Sequence, residues 1–299
     1  VRAKAAGRRV VACASTGNAA SSLAGCAASM GLRSCIFVPR RAPRGKLMQL
    51  LTYGATVVSV DGSYHDAFSL SATAIDKWGW YNRNAAINPY LVEGKKTVSF
   101  EICEQLEWQL PDWVAVAVGD GCTIAGVYKG FHDFRMTGLI TRIPRILGVQ
   151  AAGCQPIVEA FKSGADRVRA WPENTLADSI AVGVPRNPTK ALRAVGLSGG
   201  HMIAVTDEEI LRAMRLLGST TGVFAEPAGA ASLAGLIAAF DSGVIDRSEK
   251  VVVIATGNGL KDIANAERAA PPPIEVGPGM GELERALGAR AGDLLTQEE

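Results

Sequence analysis

The stretch Val10-Val11-Ala12-Cys13-Ala14-Ser15-Thr16-Gly17-Asn18-Ala19-Ala20 decides the reading of this chain. Val10 to Ala12 is a short apolar run of the kind a buried strand leaves in sequence. Ala19 to Met30 is rich in small residues at helical spacing and suits a helix packed closely on its neighbours. Ser15-Thr16-Gly17-Asn18 stand where the strand gives way to the helix. Such a turn gathers hydroxyls, an amide and free N–H groups, which can receive a carboxylate. The same four residues also serve as a plain helix cap.

Outward from that turn, strand and helix patterns alternate. Ser34 to Val38 is a strand ending at Pro39, and Gly45 to Tyr53 a helix stopped by Gly54. Thr56 to Val60 is a β-branched strand and Ser63 to Trp78 a helix. The alternation breaks at Trp80 to Leu91, an irregular aromatic and Asn-rich stretch. It resumes with a helix over Gly94 to Gln109, a strand over Val114 to Val118, a helix over Ile124 to Met136 and a strand over Arg145 to Gln150. Residues 164 to 200 read as loop-rich. Helices follow at Asp207 to Leu217, with a Thr206/Glu209 capping box, and at Ala228 to Phe240. Val251 to Ala255 closes the series as a strand. Alternation of this kind predicts an α/β fold with mainly parallel sheets covered by helices on both faces. The break at 80–91 divides it into a small lobe, residues 13–85, and a large lobe, residues 1–12 and 86–270. Residues 271–299, opening on three prolines, are expected to form a weakly anchored tail.

Bulk composition narrows the function. The 299 residues are 48% apolar, enough for sizeable cores, and carry 31 basic against 29 acidic side chains. That near balance, with no basic run, argues against a nucleic-acid partner. No apolar run is long enough to span a membrane. The opening Val1-Arg2-Ala3-Lys4 does not read as a secretory leader. Six scattered cysteines and three histidines have no metal-ligand spacing, so no metal is expected, and the cysteines read as buried thiols of a cytoplasmic protein.

Three polar turns stand at the carboxyl ends of expected strands: 15–18, 119–123 and 256–259. In open α/β sheets ligands bind at that edge, so the three are read as one site. Gly119-Asp120-Gly121-Cys122-Thr123 opens a helix, where free N–H groups and the helix dipole favour an anion. It lacks the Gly-Lys-Ser/Thr ending of a nucleotide loop, and its glycines at 119, 121 and 126 miss the GxGxxG spacing. A phosphate cradle and an empty tight turn both remain open. Thr256 could hydrogen-bond a ring nitrogen or belong to a plain turn. Glu226-Pro227 reads as helix-start chemistry alone.

Together these segments resemble the threonine synthase and serine/threonine dehydratase group of fold-type-II pyridoxal-phosphate enzymes, the tryptophan synthase β-like family. The resemblance rests on ACASTGNAA (12–20), RGKLMQLLTYGATVVSVDG (44–62), NPYLVEGKKTVSFEICEQL (88–106), EPAGAAS (226–232) and TGNGLKD (256–262), in this order, across residues 1–268. It implies two three-layer αβα lobes, pyridoxal 5'-phosphate as cofactor, an amino-acid substrate, a homodimer, and lyase chemistry by elimination or replacement. Asn18 would bond the cofactor's phenolic oxygen, Gly119, Asp120, Gly121, Cys122 and Thr123 its phosphate, and Thr256 its pyridine nitrogen. Ser15, Thr16 and Gly17 would hold the substrate carboxylate.

Three departures qualify what the resemblance implies. The place of the family's Schiff-base lysine falls before Val1, so the chain is expected to be the C-terminal part of a longer enzyme, and a catalytic lysine is not assigned. A non-catalytic member, a dehydratase-like enzyme and a β-replacement enzyme remain alternatives. Ala85, Ala86 and Leu91 stand where polar groups would bind the phosphate of O-phosphohomoserine, with an arginine expected at 91. Arg83, Lys95 and Lys96 are nearby, the two lysines expected to face water. A smaller or less charged leaving group is therefore expected. Asp120, finally, would repel a phosphate unless its carboxylate turns away or is paired.

Overall fold

The computed structural model describes residues 1–15, 17–42 and 44–290. The first half contains α1 (Arg2–Ala5), β1 (Val10–Ala14), α2 (Asn18–Ser29), β2 (Arg33–Pro39), α3 (Arg44–Thr52), β3 (Thr56–Val60), α4 (Tyr64–Trp78) and β4 (Tyr81–Asn82). Its four strands form a parallel sheet in the order β3-β2-β1-β4. Alternation along β2 explains why helices cover both faces. Ile36 and Val38 point to one side, with Ala20 and Ala24 of α2 and Leu50 of α3. Cys35 and Phe37 point to the other, against Ala67, Ala74 and Ile75 of α4. Small residues on α2 let it approach the sheet closely. Ser63 caps α4 in a reciprocal box with Asp66, and Gly79 ends it in the left-handed conformation.

The second half contains α5 (Tyr90–Lys95), α6 (Thr97–Gln105), β5 (Trp113–Ala117), α7 (Cys122–Met136), β6 (Arg145–Ala151), α8 (Pro156–Ser163), α9 (Pro188–Ser198), β7 (His201–Val205), α10 (Asp207–Thr221), α11 (Pro227–Asp241), β8 (Val251–Val253), α12 (Ile263–Ala269) and α13 (Met280–Arg290). Its parallel sheet has the order β7-β6-β5-β8. Trp113, Ala115 and Ala117 of β5 face the α10–α11 side. Val114, Val116 and the following Val118 face the side of α7, α8 and α9. Each sheet is thus the middle of an αβα sandwich, the α/β class expected from sequence. Between the layers, Gln150 is fully buried: its Oε1 accepts the N–H groups of Ile157 and Val158, and its Nε2 donates to the Val118 carbonyl. These bonds satisfy two of the orphan donors that open α8.

Several segments differ from the sequence reading, among them Tyr81–Asn82 of the irregular stretch, which form β4. Residues 10–12, assigned above to the large lobe, belong to β1, which pairs with both β2 and β4, and Ala3 of α1 packs on Val11 and Ala27. A strand with two hydrogen-bonded neighbours cannot be parted from its sheet at residue 12. The helix expected over 94–109 is two helices, α5 beginning at Tyr90 and α6 ending at Gln105. The loop-rich 164–200 holds α9, started by Pro188 and stopped by Gly199 at φ 65°. β7, which the sequence reading lacks, follows it. The expected tail contains α13, and residues 291–299 lie outside the described residues.

Packing of α11 on the second sheet leaves no room at Gly235, where a Cβ would lie 2.2 Å from Val149 Cγ2. Gly235→Ala is expected to lower stability by about 1–3 kcal/mol through overpacking. Gly218 of α10, with nothing within 4 Å of a Cβ, should instead gain up to about 1 kcal/mol as alanine. Urea unfolding midpoints at constant slope would check both.

Candidate active site

The turn after β5 builds the end of the site where the sequence reading expects an anion. Gly121 has φ 83°, and a Cβ there would meet the Asn187 carbonyl at 2.6 Å, so glycine is required both by conformation and by space. A Cβ on Gly119 would lie 3.1 Å from the Ser179 carbonyl. This close approach brings the chain against the 178–182 segment and opens α7 on a cavity of about 410 Å³. The first N–H groups of α7 have no acceptor inside the helix, and the dipole of its 15 residues points the same way.

Asp120 lines this cavity, but it is paired. Its Oδ1 accepts the Arg186 N–H at 3.0 Å and its Oδ2 accepts the Tyr64 hydroxyl at 3.2 Å. Burial pushes its carboxyl above the usual range, opposed by the Arg186 bond and charge. Burial, with the Asp120 charge beside it, holds the Tyr64 phenol well above its ordinary value. Cys122, the first residue of α7, is a buried thiol raised by desolvation, and its Sγ accepts from Asn187 Nδ2 at 2.7 Å.

The turn after β1 meets the same cavity. The Ser15 N–H donates to the Phe37 carbonyl at 3.1 Å, and its Oγ accepts from the Gly17 N–H at 3.3 Å. A Cβ on Gly17 would be 2.8 Å from Ser179 Oγ. Thr16 lies outside the described residues. Asn18 opens α2, its Nδ2 donating to Glu226 Oε1 at 3.0 Å while its Oδ1 accepts from Lys261 Nζ. Thr256, three residues beyond the end of β8, also lines the cavity. The structure therefore brings Ser15, Gly17, Asn18, Gly119 to Thr123 and Thr256 around one space.

Sequence reasoning missed the charged cluster beside Asn18. Glu226 precedes α11 but makes no side-chain bond to that helix. Its carboxylate, 1% exposed, lies between Asn18 and Lys46, whose Nζ is 3.3 Å from Oε2. Lys46, 5% exposed, also approaches Asp178 at 3.3 Å and Ser179 Oγ at 3.0 Å. The usable signal was residue type: Glu is not a preferred N-cap, so helix-start chemistry explained Pro227 better than it explained Glu226.

The far wall corrects one expectation. Ala85 and Leu91 do line the cavity, yet Arg83 and Lys95 line it too. Lys95 stands four residues after Leu91 on α5, on the same helix face. Burial lowers its pKa; Cys122 and Asp120 oppose that shift and Arg83 adds to it. Lys96 does not line the cavity, but it does not face water freely either: its side chain is 16% exposed and pairs with Glu93 and Asp133 at 2.6 Å each. Ala86 is exposed, with φ 65°.

These donors suit pyridoxal 5'-phosphate: helix-start N–H groups for a phosphate, an amide for a phenolic oxygen, a hydroxyl for a ring nitrogen, in a cavity of small-ligand size. Residues 1–257 match the family described as "Pyridoxal-phosphate dependent enzyme". The chain is 45% identical to a threonine synthase of Methanocaldococcus jannaschii over 96% of its own length and 71% of that protein. It is 44% identical to a threonine synthase of Methanosarcina acetivorans over 86% of its length, spanning 64% of that relative. Its fold matches a fungal L-serine ammonia-lyase from Rhizomucor miehei with a TM-score of 0.77 at 18% identity, covering 90% of this chain and 84% of that one. It matches the processed threonine deaminase isoform 2 of Solanum lycopersicum with a TM-score of 0.73 at 24% identity, covering 88% and 73%. By its profile match and its relatives, the chain belongs to the pyridoxal-phosphate dependent enzyme family, among the threonine synthase-like lyases.

Proposed function

We propose that the chain binds pyridoxal 5'-phosphate and an amino acid whose leaving group is anionic, with O-phosphohomoserine as the substrate the family resemblance implies. The observation that carries this reading is the meeting of the three strand-end turns with two cations, Arg83 and Lys95, around one cavity. Among the described residues neither cation forms an ion pair with a carboxylate. The first turn of α7 holds the cofactor phosphate, Asn18 donates to the phenolic oxygen and Thr256 meets the pyridine nitrogen. Ser15 and Gly17 hold the substrate carboxylate, with Thr16 added by the resemblance. When bound, the cofactor supplies an electron sink for negative charge at the substrate's α-carbon. A neutral hydroxyl at the ring nitrogen makes that sink weaker than a carboxylate partner would.

Arg83 and Lys95 give the leaving group the positive charge that Leu91 does not. This replaces the expectation of a less charged leaving group, because the charge is present one helical turn away from position 91. The half around the first sheet, carrying Ser15 to Asn18, is the lobe that closes on substrate, in a homodimer of the cytoplasm. Bonds from Asn18 and Lys46 to the other half support such closure.

Lys95→Ala in the full-length protein is expected to lower kcat/KM for O-phosphohomoserine about tenfold or more, as loss of a charged hydrogen bond does, and to change that for O-acetylhomoserine less than threefold. Equal losses on both substrates would remove the anion-site assignment. Because the Lys95 pKa is lowered, wild-type kcat/KM should fall with rising pH before an ordinary lysine would titrate, a limb absent from Lys95→Ala. Cofactor binding without turnover of any amino acid would leave the non-catalytic alternative.

Asp120→Asn removes a buried negative charge from the cradle and keeps an acceptor for Tyr64. It is expected to tighten pyridoxal-phosphate binding about three- to tenfold at pH 8. The gain should shrink as pH falls through the raised Asp120 pKa, because the wild-type carboxyl then becomes neutral. Equilibrium titration at both pH values measures it.

A further inference from the structure

We infer that Glu226 and Lys261 are positioning residues that fix the Asn18 amide with one Nδ2 hydrogen aimed into the cavity, an inference that rests on the cofactor reading above. An asparagine amide can turn over, exchanging its donor and acceptor ends at little cost unless its partners forbid it. Here both ends are constrained. Glu226 Oε1, as a carboxylate oxygen, only accepts, and it takes one Nδ2 hydrogen at 3.0 Å. Lys261 Nζ only donates, and it bonds Asn18 Oδ1 while also reaching Ser21 Oγ at 3.2 Å. Opposite charges on opposite ends leave a single orientation. The second Nδ2 hydrogen is then the amide's free polar atom, on a residue that lines the cavity.

The arrangement is built rather than incidental. A Cβ on Gly257 would lie 2.0 Å from Glu226 Oε1 and 2.7 Å from Asn18 Nδ2, so only glycine lets the pair lie over that backbone. The Glu226 N–H donates to the Gly257 carbonyl at 2.8 Å, tying the carboxylate's own backbone to the same turn. Among the described residues Glu226 Oε2 is buried with no hydrogen-bond donor, and the charge of Lys46 lies 3.3 Å from it. A carboxylate serving α11 alone would bond that helix's first N–H groups, and this one makes no such bond. Asn18 comes from the half around the first sheet, whereas Glu226 and Lys261 come from the other. The orientation of the amide is therefore set across the cleft.

The test uses full-length protein in four forms: wild type, Glu226→Gln, Glu226→Ala and Lys261→Met. Three quantities are read: the dissociation constant of pyridoxal 5'-phosphate, the pH dependence of the bound cofactor's absorbance, and the melting temperature. Glu226→Ala and Lys261→Met should weaken cofactor binding about tenfold, and raise the apparent pKa of its phenolic group by roughly half to one pH unit, because a donor to the ionised oxygen is lost. Glu226→Gln keeps an acceptor for Nδ2 and should stay within threefold of wild type with its pH profile unmoved. Should Glu226→Ala fail to fold, Lys261→Met carries the test. Melting temperatures that fall in Glu226→Ala and Lys261→Met while the pH profile and dissociation constant remain those of wild type would overturn the inference and leave the cofactor assignment intact. A wild-type protein that does not bind pyridoxal 5'-phosphate would overturn both.

Discussion

A carboxylate removed from water must be paired, and the position of Glu226 is the constraint on which this site depends. Stripping an ion of solvent costs several kcal/mol even after the protein relaxes, and loss of one partner of a buried pair typically costs about 3–5 kcal/mol. Glu226 and Lys46 are 1% and 5% exposed, so Glu226 requires the cation at 3.3 Å, while Lys46 is shared with Asp178 at the same distance. Lys46 sits on α3, beside the first sheet, and Glu226 at the start of α11, beside the second. Their attraction therefore acts between the two halves. Asn18 and Lys261 extend the same network over the Gly257 backbone. Any opening of the cleft along this line separates opposite charges, which sets an electrostatic preference for the closed arrangement.

The end of the cavity proposed above to take a phosphate obeys a related rule with different sign. A helix start attracts an anion, and Asp120 already places a carboxylate at that start. The structure reconciles them by giving both Asp120 oxygens donors, the Arg186 N–H and the Tyr64 hydroxyl. Tyr64 belongs to α4 of the first half, so the cradle too is completed across the cleft. Burial raises the Asp120 pKa, so the repulsion that a phosphate would meet there falls as the carboxyl protonates.

What the sequence revealed depended on how local each signal was. Strand and helix alternation made β1, β2, β3, β5, β6 and β8 legible, while β4 and β7 at the sheet edges were not read. The Thr206 cap with Glu209 and the placing of the three polar turns at strand ends were legible too, because each signal lies within a few neighbouring residues. α9 was hidden because its Pro188 start and Gly199 stop lie in a stretch whose other prolines and glycines read as loop. Residues 10–12 were misassigned because pairing with β2 and β4 is long-range. Glu226 and Lys46 were invisible as partners for the same reason: 180 positions separate them, and charge pairing leaves no periodicity. The EPAGAAS motif marked the place, and local helix chemistry gave a sufficient, but wrong, account of its first residue.

The far wall shows how the identity at one position can mislead when the face is not considered. Leu91 suggested an apolar wall. An α-helix, however, returns to the same face after four residues, and Lys95 is at that return. A long flexible side chain can cover the surface over the preceding turn, since helical side chains lean toward the N-terminus. Lys95 can thus lie over the space that Leu91 leaves uncharged, with Arg83 joining it in the cavity wall. A lysine presents a point charge where an arginine presents a planar fork, so Lys95 brings long-range attraction to this wall and Arg83 brings a fork, from outside position 91. On the reading proposed above, the charge that an anionic leaving group needs comes from Lys95, one helical turn beyond position 91, and from Arg83 in the same wall.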